Sequence, residues 1–241
     1  MIHAIHGNLG HPSEWNQVQE SFGPGFEWNC PNLWEDPVAP FAAWADRFND
    51  QAEALDPCPI LLGYSLGGRL AMHALASATP PLWEAAIFVS AHPGFPPNSE
   101  NDRHLRSQRD TTWASTLRQD GAVKFLRDWN AQEVLRGQPI SSRQVATVAK
   151  HPDSIAQAFE VWSLGLQADL RQQLLDSGVP QLWVVGAEDA KFRAIAEEAV
   201  AAIPSATLDV IEGCGHRVPL QKPRELAESI CRFLTALKLK T

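Results

Sequence analysis

The sequence predicts a mostly parallel α/β fold carrying a helical insertion. Short apolar runs alternate with longer helical patterns, the arrangement in which parallel strands are joined by crossover helices. One apolar run ends in the glycine-flanked serine of "GYSLGGRL" and gives way at once to a helical pattern. Residues 94–172, between the fourth and fifth runs, are too many for a simple loop and rich in helix formers.

Taken in order, strands are expected at 1–5 ("MIHAI"), 26–32, 59–64 ("PILLGY"), 85–91 ("AAIFVSA"), 181–186 ("QLWVVG") and 207–211 ("TLDVI"). Helices are expected at 40–55, 66–78, 190–203 and 223–238, which leaves a sheet of about six strands with helices on both faces. The expected division is an α/β core of residues 1–93 and 173–241 and a helical lid of residues 94–172. That lid holds ten Lys/Arg and nine Asp/Glu, net +1, so the rest of the chain carries −9 of the total −8.

A chain of 241 residues suits one domain with an insertion. Hydrophobic content of 44% and charged content of 20% are those of an ordinary water-exposed protein, and the net charge of −8 argues against nucleic acid or an anionic membrane as partner. Cys30, Cys58, Cys214 and Cys231 have no paired spacing, so neither a zinc site nor a disulfide framework is expected. The start, "MIHAIHGNLG", lacks the pattern of a signal segment, and no apolar run approaches a membrane span. A cytoplasmic protein acting on a small-molecule substrate is the expectation. Nine tryptophans are expected as core or cavity wall.

The chemistry-bearing residues follow from the serine. A strand that turns sharply into a helix forces unfavourable backbone angles on Ser65 and leaves room only for small residues two positions either side, which Gly63 and Gly67 supply. Such a corner presents a nucleophile at a helix amino terminus, where developing negative charge is favoured. The base expected for it is His216 in "EGCGHRVP", between the last strand and the final helix. An acid should follow another strand, and "VVGAEDAKF" offers Asp189 as first choice and Glu188 as alternative. Oxyanion donors are expected from the backbone N–H of Leu66 and, in "AIHGNLG", of Asn8, with His6 a loop-packing residue.

With these residues in view, the chain resembles the α/β-hydrolase superfamily over nearly its whole length. Within it the chain resembles the 2-succinyl-6-hydroxy-2,4-cyclohexadiene-1-carboxylate synthases of menaquinone biosynthesis. The stretches that carry the resemblance are "HGNLGHPSEW", "GYSLGGRLAM", "SAHPGF", "SLGLQADLR", "GAEDAKF" and "GCGHRV". The resemblance implies an α/β-hydrolase fold and removal of pyruvate by proton abstraction, with Ser65, Asp189 and His216 as triad and no metal or organic cofactor. It further implies that Arg69 meets a substrate carboxylate and that Trp129 in "FLRDWN" lines the cavity. Two departures stand out: "PNLWEDPVAPF" replaces the usual second-loop motif, and Thr111 stands two residues before Trp113, where a lid arginine is expected. Arg103, Arg106 and Arg109 recur every third residue and share a helix face. The same triad serves a carboxylesterase, which is the alternative function, and a non-catalytic binding protein is a third.

Overall fold

The structure, a computed structural model, describes residues 1–78, 81–135 and 140–239. Strand β1 (Ile2–Ile5) leads through a 3₁₀ turn (Pro12–Trp15) into helix α1 (Asn16–Phe22), then β2 (Trp28–Asn29), α2 (Phe41–Leu55), β3 (Ile60–Tyr64) and α3 (Leu66–Ser77). After β4 (Ala85–Val89) come α4 (Glu100–Asn130), a 3₁₀ turn (Glu133–Leu135), α5 (Ser142–Lys150), α6 (Pro152–Val161) and α7 (Arg171–Asp176). The chain closes with β5 (Gln181–Gly186), α8 (Ala190–Ala202), β6 (Ala206–Ile211), α9 (Val218–Gln221) and α10 (Pro223–Ala236).

All six strands pair in parallel, in the order β2-β1-β3-β4-β5-β6. Strand alternation divides the core between the two faces of the sheet. Ile5, Leu61, Phe88 and Trp183 face α2, α3, α8 and the insertion, whereas Ile60, Leu62, Ile87 and Val184 face α1 and α10. Helices therefore cover both faces, which a fully parallel sheet requires.

Two expectations need correcting. The strand expected at 26–32 is only Trp28–Asn29, an edge pairing through Ile2↔Trp28 and His3↔Asn29. Pro31 has no N–H to extend the ladder. Helices α1, α7 and α9 and the 3₁₀ turns add short elements that the coarse sequence pattern does not resolve.

Residues between β4 and β5 are mostly helical, as expected. Gly121, at φ 71°, breaks α4 into two helical legs. Of the expected lid, residues 136–139 lie outside the described residues. Its return leg is tied to the core: Trp162 Nε1 donates to Ala39 O at 2.8 Å, Gln167 Nε2 to His92 O at 2.9 Å, and Leu170 N to Pro93 O at 2.8 Å. The motif "SLGLQADLR" is this leg.

The passage from β3 to α3 leaves no room for side chains at its glycines. A Cβ on Gly63 would meet the Gly67 carbonyl, and one on Gly67 would meet the carbonyl oxygens of Ile5 and His6. Helix propensity alone would make Gly67→Ala stabilising by about 1 kcal/mol. The backbone collision opposes it at roughly 2–4 kcal/mol and should win. Gly67→Ala is expected to lower the urea midpoint; a midpoint at or above that of the wild type would show that β1 and α3 are not in such close contact.

Candidate active site

Ser65 lies at φ 52°, ψ −110°, a left-handed conformation that costs a non-glycine residue about 1–3 kcal/mol. Backbone bonds hold it there: Ser65 N donates to Val89 O at 2.9 Å, and Ser65 O accepts from Arg69 N at 3.1 Å. Its hydroxyl projects from an otherwise buried run at the carboxyl edge of the sheet. His216 Nε2 is 3.1 Å from Ser65 Oγ, and His216 Nδ1 is 2.7 Å from Asp189 Oδ2. Asp189 is buried at the amino terminus of α8, where its Oδ1 accepts from Phe192 N at 3.3 Å. This pattern puts the Nδ1 proton toward Asp189 and leaves Nε2 to accept from the serine. The rings of Phe192 and Tyr64 flank the imidazole. Glu188, the alternative acid, has no such contact to His216; its N–H donates to Cys214 O.

The loop after β1 comes up beside this group. Gly10 N donates to Gly7 O at 3.1 Å across a tight turn in which Leu9 has φ 59°. Trp34 Nε1 donates to Gly10 O at 2.7 Å, and His6 pins the turn from beneath. His6 is fully buried and its pKa is pushed down to about 4 by that burial, so it is neutral, with Nδ1 on Gly7 O and Nε2 accepting from Leu33 N. Asn8 faces the cavity, and Leu66 opens α3, where an N–H has no partner within its own helix.

Above the serine lies a cavity of about 660 Å³. Trp129 is in its wall, beside Trp113 at 5.1 Å between ring centroids. Five cations also line it: Arg106, Arg109, Arg143, Lys191 and Arg217. Arg106 is committed to the buried Asp110 at 2.8 Å, which also accepts from Ser163 Oγ at 2.7 Å. Among the described residues no carboxylate pairs with the other four. Arg143 reaches Ser13 Oγ and Arg217 reaches Asn130 Oδ1. Burial and the neighbouring Arg106 depress the pKa of both Arg109 and Lys191.

Arg69 does not reach this cavity. Its guanidinium is buried under the insertion, donating to Gln167 Oε1 at 3.1 Å and Trp162 O at 2.8 Å over the Phe41 ring. Burial brings its pKa down to about 9. The helix spacing is as expected, but the nearest acceptors belong to the return leg of the insertion. Thr111 is exposed, and Arg109 two residues earlier supplies a cavity cation from α4 beside the Asp110-paired Arg106. Arg103 ties Gln167 O and Phe95 O together instead. Arg143 and Arg217 carry no sequence signal of their own. Lys191 belongs to "DAKF", and Arg217 directly follows His216.

A half-buried acid, Glu14, also borders the cavity, its Oε2 sealed from solvent, and among the described residues it enters no ion pair. Burial pushes its pKa up to about 8, against the pull of Arg217 and of the Gly7 and His11 amides. Among the described residues, no group of three or more His, Cys, Asp or Glu is placed to hold a metal ion. No helix among them is long and apolar enough to cross a membrane.

A serine on a strained strand-to-helix corner, with an imidazole and a carboxylate in line, is the arrangement of a serine-dependent α/β enzyme. The chain belongs to the alpha/beta hydrolase family, whose profile matches residues 4–229, and it is an enzyme. It is 30% identical over 244 residues to the 2-succinyl-6-hydroxy-2,4-cyclohexadiene-1-carboxylate synthase of Salmonella arizonae, across 95% of this chain and 92% of that one. MenH from S. aureus shares the fold with a TM-score of 0.90 at 23% identity, over 99% of this chain and 94% of that chain. A thermophilic esterase from Thermogutta terrifontis, with malate bound, does so with a TM-score of 0.75 at 21% identity, over 98% and 89%.

Two outcomes are expected. Arg69→Ala strands the Trp162 and Gln167 oxygens and should destabilise the fold by about 2–3 kcal/mol, slowing anionic and neutral substrates alike. A selective loss on anionic substrates at unchanged stability would return Arg69 to substrate binding. Glu14 should link stability to pH. With its pKa raised from 4.5 to about 8, folding favours the protonated form; that contribution is full below 4.5 and is lost as pH rises through 8. Melting curves should therefore place Glu14→Gln above wild type by a margin that widens from pH 4.5 to 8. A margin independent of pH would mean that Glu14 titrates normally.

Proposed function

We propose that the chain is a 2-succinyl-6-hydroxy-2,4-cyclohexadiene-1-carboxylate synthase that releases pyruvate from the preceding pathway intermediate. The observation that carries this reading is the set of four cations around a cavity above Ser65 that no carboxylate among the described residues pairs with. The product named carries a ring carboxylate and a succinyl carboxylate, and pyruvate carries a third. A substrate with three carboxylates matches a wall that supplies Arg109, Lys191, Arg143 and Arg217.

In this reading Ser65 passes its proton to His216 as its Oγ removes a proton from the substrate ring. The electron pair of the broken C–H bond shifts into the ring as a new double bond, and the bond to the pyruvyl group breaks with its pair leaving on pyruvate. The imidazolium then returns a proton to the departing group. Asp189 holds the imidazole tautomer and stabilises its cation. The N–H groups of Asn8 and Leu66 face the oxyanion that develops. Residues 94–172 form the lid over a core of residues 1–93 and 173–241, and Trp129 gives the substrate ring an apolar wall. A cytoplasmic setting fits the four cysteines, none of them in a disulfide.

Two assays on one preparation test this: pyruvate release from the pathway intermediate and hydrolysis of a short aryl ester. Wild type should favour the first by more than about 100-fold in kcat/KM. Ser65→Ala and Asp189→Asn should each lower its turnover by about 10⁴ with the fold intact. Arg109→Ala or Lys191→Ala should reduce kcat/KM for the anionic intermediate by about 10–100-fold, the loss expected for a charged hydrogen bond, and barely touch the ester. Efficient ester hydrolysis without pyruvate release would make the protein a carboxylesterase, in which Ser65 forms an acyl-enzyme.

A further inference from the structure

Glu14 borders the cavity with one carboxyl oxygen sealed from solvent, and the proposed chemistry leaves it unused. Its carboxyl lies against the turn that carries Asn8: a Cβ on Gly10 would run into both carboxyl oxygens, so the glycine is what makes room for it. The Gly7 and His11 amides face the same carboxyl, yet Oε2 is sealed from solvent without a partner at hydrogen-bond geometry. Glu14 N donates to His11 O at 2.9 Å, so the side chain springs from the segment that closes this turn. On its other sides stand Tyr64, which precedes Ser65, and Arg217, which follows His216. A Cβ on Gly7 would in turn strike the Tyr64 ring. Glu14 is therefore wedged among the chain neighbours of the two oxyanion donors, the serine and the histidine.

We propose that Glu14 is a positioning residue whose carboxyl braces the Gly7–Gly10 turn and thereby aims the Asn8 N–H at the developing oxyanion. The inference rests on the reading of Ser65, Asn8 and Leu66 given above. A brace of this kind acts through the transition state, because the oxyanion exists only there. It should therefore show in kcat and not in KM. It should also act in its neutral form. A charge on Glu14 would lie beneath the oxyanion turn and oppose the negative charge forming on substrate.

The groups facing Glu14 leave this ionisation distinct. Tyr64 is raised further still by burial, and His11, on the turn itself, is held below its ordinary value by burial and Arg143. Arg217 stands opposite as a cation. Turnover should thus carry an alkaline limb near pH 8 that belongs to Glu14.

The test compares wild type, Glu14→Ala, Glu14→Gln and Ser65→Ala on whichever substrate wild type turns over, with melting curves to give the folded fraction. Glu14→Ala should lose about 10–100-fold in kcat with KM changed by less than about threefold, short of deleting a donor outright. Glu14→Gln, which keeps the shape and an uncharged acceptor, should recover to within about fivefold of wild type and lose the alkaline limb. Four results would overturn the proposal: an unchanged kcat in Glu14→Ala, a loss confined to KM, a loss no larger than the fall in folded fraction, or a Gln variant as crippled as the Ala variant. The last would make the carboxyl itself a proton donor. Turnover surviving in Ser65→Ala would sink the triad reading instead, whatever Glu14 does.

Discussion

The backbone of Ser65 can hold φ 52° only because the structure around it is packed to backbone contact. Gly67 lets the first turn of α3 rest against the Ile5 and His6 carbonyls, and Gly63 lets β3 pass beneath Gly67. That contact fixes the distance between β1 and β3, and so places the loop after β1 beside the serine. The turn of Gly7–Gly10, its Trp34 and His6 anchors, and Glu14 against it all follow from one close approach. Strain at a single residue is a small cost against the parallel pairing and buried apolar side chains that enforce it.

How far this was legible from sequence depended on whether a residue's surroundings are local. The run "QLWVVG" is uninterrupted and apolar, and β5 covers it as expected, Gln181–Gly186. "FEWNCPN" meets only one neighbouring strand and contains Pro31, so it keeps two residues of ladder. Ser65, Asp189 and His216 each sit in a turn that follows a strand, and turns of that kind have short signatures; the structure brings the three side chains within hydrogen-bond reach. Arg69 shows the limit. Its helix spacing from Ser65 is correct, but its acceptor is a carbonyl 93 residues away, in a segment whose docking no local pattern encodes. Arg143, Lys191 and Arg217 come from three different elements and share no period, so only the folded chain assembles them.

The insertion takes up positive charge in two ways. Arg69, Arg103 and the Arg106–Asp110 pair join it to the core or to itself through carbonyls, an amide and a buried carboxylate. Desolvated guanidinium groups are tolerable there because their donors are met. Among the described residues Arg109 and Lys191 have no such partner, and their pKa values are pulled down by burial and by Arg106. The first group makes the segment part of the fold. The second leaves cationic charge in the cavity wall that a bound anion can meet.

That asymmetry bears on which chemistry the triad performs. Serine, histidine and aspartate in this geometry can deprotonate or acylate with equal ease, so the choice rests on what the cavity holds over Ser65. A neutral ester would leave the charges of Arg109, Lys191, Arg143 and Arg217 in the cavity wall unmet and repelling one another. A substrate with several carboxylates would offset that repulsion and be drawn in by the same charge. The electrostatics thus favour an anion with several carboxylates. Among serine-dependent reactions on this fold, elimination from a tricarboxylate meets that requirement better than hydrolysis of a simple ester.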